Sequence, residues 1–338
     1  MKKSVSQTPI KHLSILRQQF NDVDQMAETL TSSDQGEIQL TQLSLQQLQC
    51  DLLFIGCDEA RLSFIKSSCP FRLQGEKAAG YLDFVSVLEA PEPVLIAHGS
   101  HVDEDTLCGF DSNRPADLVL PSDLVFCNIQ IKQAVFEEYL QIMERSDIDQ
   151  HFLATNFLHS PILLLSVRTY LKQLRHIAEQ QTHLLNLPYL KKLVLEDLIP
   201  LLIDAIPQNQ KIIKPPSTVS RAQMVKQAEE YMLANLDQPL TLKDICEVLH
   251  VSSRPLFYGF QELFGLSPMS YLKVQRLNQV RRSLKAADPE TSSVMSIASR
   301  FGFWSAGHFA CDYKRMFGEL PSETIKEGTK TRFSLTRK

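Results

Sequence analysis

Two segments of the chain repeat one pattern of apolar positions. In the first, Leu242, Ile245, Cys246 and Leu249 fall at i, i+3, i+4 and i+7, which is one apolar helix face. Thr241 with Asp244 three residues on is a capping-box-like start, and His250-Val251-Ser252 breaks the run. Leu256, Phe260 and Phe264 then recur every four residues up to Gly265. The second copy has Ile297, Ala298 and Phe301, a break at Gly302, and Phe309, Tyr313 and Phe317 up to Gly318. Glycine reaches φ > 0 without steric cost, which suits such a break. Each copy predicts a helix-turn-helix unit. Between them, Ser267-Pro268 is an N-cap followed by proline at the first helical position, and it predicts a long helix over Ser267–Asp288.

The rest of the chain has other periods. Residues 1–35 are polar, with a short helix expected around His12–Phe20. From Glu37 to about Ile131, EIQLTQLSL, CDLLFIGC, RLSFIKSSC, YLDFVSVLE, PVLIAHGS and DLVFCNIQI are short β-rich runs. Turn residues such as Gly56, Gly75, Pro91 and Pro121 separate them, so a sandwich or barrel is expected. From Gln133 to about Ile206 helical periodicity returns, with Phe136, Tyr139, Leu140 and Met143 as one stripe. Leu187–Ile206 is apolar on more than one face and must be buried against the barrel, a partner helix or a second subunit. Pro207–Ser220 reads as a polar, proline-bearing linker that lets the C-terminal module swing. The fold class is therefore multidomain α+β. The expected units are a 1–35 extension, a β-rich 36–206 domain with a helical appendix, a 207–220 linker, an all-α 221–327 domain and a basic 328–338 tail.

Charge sharpens this division. The whole chain of 338 residues carries −4. Residues 217–338 hold 17 Lys+Arg and 12 Asp+Glu, a net +5, which leaves 18 and 27, a net −9, for residues 1–216. A mildly basic helical module on an acidic domain fits duplex binding by the module alone. No N-terminal apolar run resembles a signal peptide, and no stretch approaches the roughly 18 apolar residues of a membrane span. Seven cysteines without a CxxC pair argue against a disulfide framework and a structural zinc site. A reducing cytoplasm is the expected compartment.

Helix geometry gives the tandem units a purpose. A helix of about 20 residues spans roughly 30 Å, close to the ~34 Å between successive major-groove faces of a duplex. One rigid helix can thus hold two recognition helices over adjacent turns of DNA; antiparallel hairpins in an all-α core are the plainer alternative. With Leu256 and Phe260 inward, Ser253, Arg254, Phe257, Tyr258 and Gln261 are left on the reading face. Arg254 is the candidate for a bidentate guanine contact. In the second unit Ala306, Gly307, His308 and Cys311 occupy the matching face, with Lys314 and Arg315 near phosphates. Trp304 either caps the core or touches DNA. Arg276 and Arg282, on the long helix with Arg281 and Lys285, are expected to add phosphate contacts that set affinity and salt dependence.

Enzymatic chemistry finds little support. His98 and His101 with Asp103 or Glu104 form a possible divalent site, but a polar turn after a strand accounts for them more simply. Cys50, Cys57, Cys69 and Cys127 lie in apolar strands, where cysteine behaves as a small hydrophobe. No nucleophile–base pair or glycine-rich phosphate loop stands out. No cofactor, no metal and no catalytic residue is expected.

Residues 221–327 resemble the DNA-binding domain of the AraC/XylS family of transcription regulators. The resemblance rests on GFWSAGHFACDYK from Gly302 to Lys314, on LFGLSP before the long helix and on FGELPS at the close. RLNQVRRSL, GFWSAGHFACDY and ELPSET are most similar to the ethanolamine-utilisation regulator subgroup, which implies ethanolamine or a cobalamin-type compound as a candidate effector. The family resemblance implies a cupin-like N-terminal barrel that senses a small-molecule effector. It also implies a homodimer, formed through Leu187–Ile206, that binds double-stranded operator DNA and recruits RNA polymerase. Many family members carry arginine where this chain has Cys311, so direct reading falls mainly to the first unit. CGFDSNRPADLVLP (Cys108–Pro121) resembles a loop that closes over the barrel. Its Arg114 either meets an anionic effector or lies in a solvated turn. Two alternatives are a cupin-type metal-dependent enzyme and a repair methyltransferase, each fused to the same DNA-binding domain. The second needs a cysteine-rich zinc site that the spacing of Cys50, Cys57 and Cys69 does not provide.

Overall fold

The computed structural model describes residues 14–32, 36–57, 59–90, 94–180, 188–208 and 219–326. Seven strands pair in the order β1 (Ser14–Phe20), β3 (Cys50–Gly56), β4 (Ala60–Ser67), β11 (Val125–Lys132), β6 (Tyr81–Glu89), β9 (Thr106–Cys108) and β12 (Phe157–His159). Five more pair as β2 (Ile38–Gln42), β5 (Phe71–Gly75), β10 (Ala116–Leu120), β7 (Leu95–Ala97) and β8 (Ser100–Val102). The central strands of the larger sheet are apolar on both faces because both faces are covered. Leu52, Ile65, Val85 and Phe126 point at Leu73, Leu95, Leu118 and Leu120 of the smaller sheet. Helix α1 (Val23–Ser32) closes this space with Met26 and Leu30. The alternate residues Leu53, Phe64, Phe84 and Ile129 pack instead on helices. These are α2 (Gln133–Ile142), α4 (Pro161–Gln180) and α5 (Pro188–Asp204), which follow the chain with the short α3 (Gln150–Leu153).

One expectation is corrected here. The helix expected around His12–Phe20 is instead β1, paired with β3 from Ser14↔Gly56 to Phe20↔Cys50; residues 12 and 13 lie outside the described residues. Edge pairing supplies backbone partners that outweigh the weak local preference of a polar segment. Of the apolar segment Leu187–Ile206, the side chains from residue 196 onward are described, and their apolar members pack within their own domain. Leu198, Ile199, Leu202 and Ile203 are buried in the core shared with Phe136, Leu164 and Leu171. Its end is closed by Arg145, which donates to the carbonyls of Ile203 and Ile206 at 2.7 Å. Arg145 in turn pairs with Asp147 at 2.8 Å, and that hydrogen bond holds the Asp147 carboxyl below its ordinary range.

The C-terminal part comprises α6 (Val219–Ala234), α7 (Leu242–Leu249), α8 (Ser253–Phe264), α9 (Pro268–Ala286), α10 (Val294–Arg300) and α11 (Ala306–Phe317). Val225, Ile245, Leu256, Phe260 and Tyr271 form one small core, and Leu277, Val280, Ile297, Phe309 and Tyr313 form another. Helix α9 belongs to both, so the two helix pairs are fixed at either end of one rod.

The two halves of the chain are docked on one another. Leu43, just after β2, is 0% exposed and sits in the first helical core; Leu45 packs on the second. Gln42 Nε2 donates to the Met316 carbonyl at 3.0 Å, and Asn278 Nδ2 donates to the Gln42 carbonyl at 3.1 Å. Asp22 and Asp24 pair with Arg281 and Lys285. Arg72 binds Asp117 at 2.8 Å and also contacts Glu229 of α6. The swinging module expected from the Pro207–Ser220 linker is held here by a polar and apolar interface; residues 209–218 of that linker lie outside the described residues.

Candidate nucleic-acid interface

The first helix pair is built by local rules. Thr241 and Asp244 form a full capping box, with Asp244 Oδ2 accepting from the Thr241 amide at 2.8 Å. Those hydrogen bonds hold the Asp244 carboxyl below its ordinary value. His250 ends α7 in the left-handed region at φ 53°, which turns the chain into α8. Burying Leu256, Phe260 and Phe264 leaves Ser253, Arg254, Phe257, Tyr258 and Gln261 exposed. Phe257 and Tyr258 are 44% and 51% exposed, a surface that water disfavours. Their rings meet edge to face at 6.1 Å, and the Arg254 guanidinium lies 5.8 Å from the Tyr258 ring centre. Arg254 is thereby held against an aromatic surface at the start of the helix.

The second pair repeats the plan. Gly302 takes φ +82° and turns α10 toward α11. Phe309, Tyr313, Met316 and Phe317 are buried, which leaves Ala306, Gly307, His308, Cys311, Lys314 and Arg315 exposed. Arg315 also donates to Asp312 at 3.0 Å, and Asp312 pairs with Lys273 of α9 at 2.6 Å. Trp304, the single tryptophan, is 80% exposed just before α11. Between α9 and the start of α11 runs a groove lined by Lys273, Arg276, Gly302, Trp304, Ser305 and His308. The sequence left the role of Trp304 open, because periodicity cannot place a residue in a turn.

Helix ends separate the two kinds of helix. Helices α7 and α9 begin with side-chain caps from Thr241 and Ser267. Helices α8 and α11, and the short α10, begin without one. The amides of the first turn of α8 and α11 therefore remain available to an anion such as phosphate.

The long helix departs from expectation. Arg276 donates to the carbonyls of Leu236 at 3.0 Å and Gln238 at 2.5 Å, so it fixes the α6–α7 connection. Arg282 is exposed and lies 3.5 Å from Thr41 Oγ1 of the barrel. Arg281 is buried among Asp22, Asp24 and Glu319. Residues on α9 face both helical cores and the barrel, a three-sided environment that helical spacing alone does not reveal.

The other sequence candidates separate in space. His98 borders the space between the two sheets, where burial above all, with Arg114 adding, pushes its imidazolium down to about 4. His101 is exposed on β8, 3.9 Å from Glu262. No three His, Cys, Asp or Glu side chains converge as a metal site among the described residues. Cys50, Cys69 and Cys127 are buried and Cys57 is half-buried. Burial pushes the Cys50 thiol up to about 12. Arg114 is exposed and borders the cleft between the barrel and α6. No helix among the described residues is long and apolar enough to cross a membrane.

Comparison with known proteins bears on this same region. Residues 245–327 match a family described as a helix-turn-helix domain. A 103-residue stretch is 41% identical to the "Probable thc operon regulatory protein" of Rhodococcus erythropolis, covering 30% of this chain and 31% of that protein. Over 97 residues the chain is 32% identical to the "XylDLEGF operon transcriptional activator 3" of Pseudomonas putida, covering 29% of each. The chain thus matches under a third of the length of these curated relatives. It is 40% identical to a crystallised probable AraC family transcriptional regulator from Rhodopseudomonas palustris, with a TM-score of 0.29, covering 31% of this chain and 97% of that one. The similarity to these transcriptional regulators lies in the C-terminal helices, which carry a helix-turn-helix domain.

Proposed function

We propose that the chain is a sequence-specific, effector-responsive regulator that binds operator DNA through the N-terminal halves of α8 and α11. One observation carries this reading. Two helices with uncapped starts and exposed polar and aromatic faces are fixed at the two ends of one 19-residue helix. At ~1.5 Å per residue that rod is roughly 28 Å long, near the ~34 Å repeat of the duplex. Arg254 would read guanine, and Phe257 would pack on a thymine methyl. His308 and Trp304 would border the second groove. Lys314 and Arg315 would meet phosphates and contribute salt dependence without sequence choice.

The N-terminal domain is read as a cupin-like sensor. Its two sheets enclose a cavity, and its docking on α6 and α9 gives it a hold on the reading helices. A homodimer in the cytoplasm that recruits RNA polymerase completes the proposal. Exposed Ile162 and Leu165 on α4 are a better candidate for a subunit surface than the buried Leu198, Ile199, Leu202 and Ile203 of α5. The similarity of RLNQVRRSL and ELPSET to the ethanolamine-utilisation regulator subgroup supports an operon of catabolic genes as the target. The fused-enzyme alternatives draw no support from the scattered cysteines or the separated His98 and His101.

Selection of bound duplexes from a random pool, repeated with Arg254→Ala, tests the assignment. The wild type should enrich one motif, and the variant should lose preference at one base position, worth about 1–3 kcal/mol. An unchanged motif in the variant would refute the role given to Arg254. Enrichment of no motif by the wild type would refute the reading as a whole.

A further inference from the structure

The space between the two sheets holds a charge that the DNA-binding reading does not use. The cavity encloses about 50 Å³, room for a small molecule only, and its wall is formed by side chains such as Leu30, Ile65, Leu73, Val85, Leu118 and Phe126. Into this apolar space come Asp83 from β6 and Asn128 from β11. Asp83 is 7% exposed. Its Oδ1 accepts from Asn128 Nδ2 at 3.1 Å and from Gln130 Nε2 at 3.0 Å. Among the described residues its Oδ2 has no hydrogen-bond partner, and neither has Oε1 of Gln130, the residue directly across the β6–β11 ladder. The neighbouring cation Lys77 is committed elsewhere, its Nζ donating to the carbonyls of Gly109 and Asp111 at 2.6 Å.

A buried carboxylate with spare acceptors and no cation in hydrogen-bonding contact among the described residues is costly. Burial accordingly pushes the Asp83 carboxyl above its ordinary range, against the opposing pull of Asn128, Lys77 and Gln130. A ligand that restores the balance must bring positive charge and more than one N–H to a single point, with an apolar body behind it. An ammonium group does both, with three donors. An alcohol brings one hydrogen and no charge, and a carboxylate repels Asp83.

We propose that this cavity binds a small primary amine with an apolar body, its ammonium paired with Asp83 and its hydrocarbon part against the aliphatic wall. The binding stands on this geometry, and only its role as effector rests on the regulator reading. A cobalamin is too large for the space, and ethanolamine would set its hydroxyl against the aliphatic wall. His98 lines both this cavity and the cleft facing α6, so the occupant lies beside the interface that holds the reading helices.

Isothermal titration of the full chain with n-butylamine and phenethylamine, against butan-1-ol, butyrate and ethanolamine, tests the proposal. The two amines should bind with a measurable heat. Asp83→Asn should weaken them at least tenfold. Leu118→Phe, which fills the cavity and leaves Asp83 in place, should abolish binding with an unchanged circular dichroism spectrum, so the proposal stays testable if Asp83→Asn fails to fold. Absence of amine binding, equal binding by Asp83→Asn, or equally tight binding of the alcohol, the acid or ethanolamine overturns it. Duplex selection on the same preparation separates the two readings. Motif enrichment without amine binding sinks the ligand assignment alone, and amine binding without enrichment sinks the regulator reading alone.

Discussion

The Arg72–Glu229 contact ties the β-rich domain to the C-terminal helices, and a double-mutant cycle measures its worth. The Arg72 and Glu229 side chains are 8% and 6% exposed. Burial opposes the Arg72 charge, and Asp117 with Glu229 more than offsets it. Glu229 also accepts from the Tyr271 hydroxyl, so its loss orphans two buried donors. A hydrogen bond to a charged group contributes about 1.5–3 kcal/mol, which places Glu229→Met at about 3–5 kcal/mol. Arg72→Met leaves Glu229 as a buried, uncompensated anion, again about 3–5 kcal/mol. In the double variant neither charge remains, and Asp117, whose side chain is 31% exposed, can turn to water. The double variant should therefore cost little more than the worse single one, a coupling of about 2–4 kcal/mol. Urea unfolding followed by circular dichroism gives the three values. Hydrogen exchange of α6 and β10 shows whether the loss falls at the interface. Additivity within ~0.5 kcal/mol would refute the pairing as an energetic link between the domains.

Two further outcomes test other parts of the structure. Leu43→Ala removes a side chain that belongs to the barrel by sequence and to the first helical core by packing. It should cost about 2–5 kcal/mol and speed hydrogen exchange in α6 to α9, whereas a loss confined to the barrel strands would contradict the wedge. His98 titrates at about 4 in the fold and near 6.5 when unfolded, so the unfolded chain binds the extra proton between those values. Stability should fall as pH drops from about 6.5 to about 4, by about 2–3 kcal/mol, and the loss persists below that window. Asp83, raised by burial, acts with the opposite sign and is common to wild type and His98→Asn. The variant should therefore lack the His98 share of the slope, and parallel pH profiles would refute the half-buried neutral imidazole.

Local periodicity determined much of the candidate site. The four-residue spacing of Leu256, Phe260 and Phe264, and of Phe309, Tyr313 and Phe317, sets which side of each short helix is buried. The exposure of Arg254, Phe257, Tyr258 and His308 follows directly. The cap at Thr241 and the turn at Gly302 were legible for the same reason, since each depends on neighbours within a few residues. The strands CDLLFIGC, YLDFVSVLE and DLVFCNIQI were legible as strands, but not the two faces that bury them.

Only the tertiary structure decided the rest. Residues 14–20 became a strand because β3 offered an edge, and α1, β5 and β10 carried too little apolar pattern to announce themselves. Arg281 turned to Asp22 and Asp24 of a segment more than 250 residues away, so a basic helix that reads as a phosphate contact became partly a domain interface. Asp83 sits in an otherwise apolar strand, where sequence shows one polar interruption and the fold shows a buried carboxylate across from Gln130. Periodicity reports which face of an element is apolar. What covers that face, and which charges meet across it, is fixed only when distant parts of the chain are packed together.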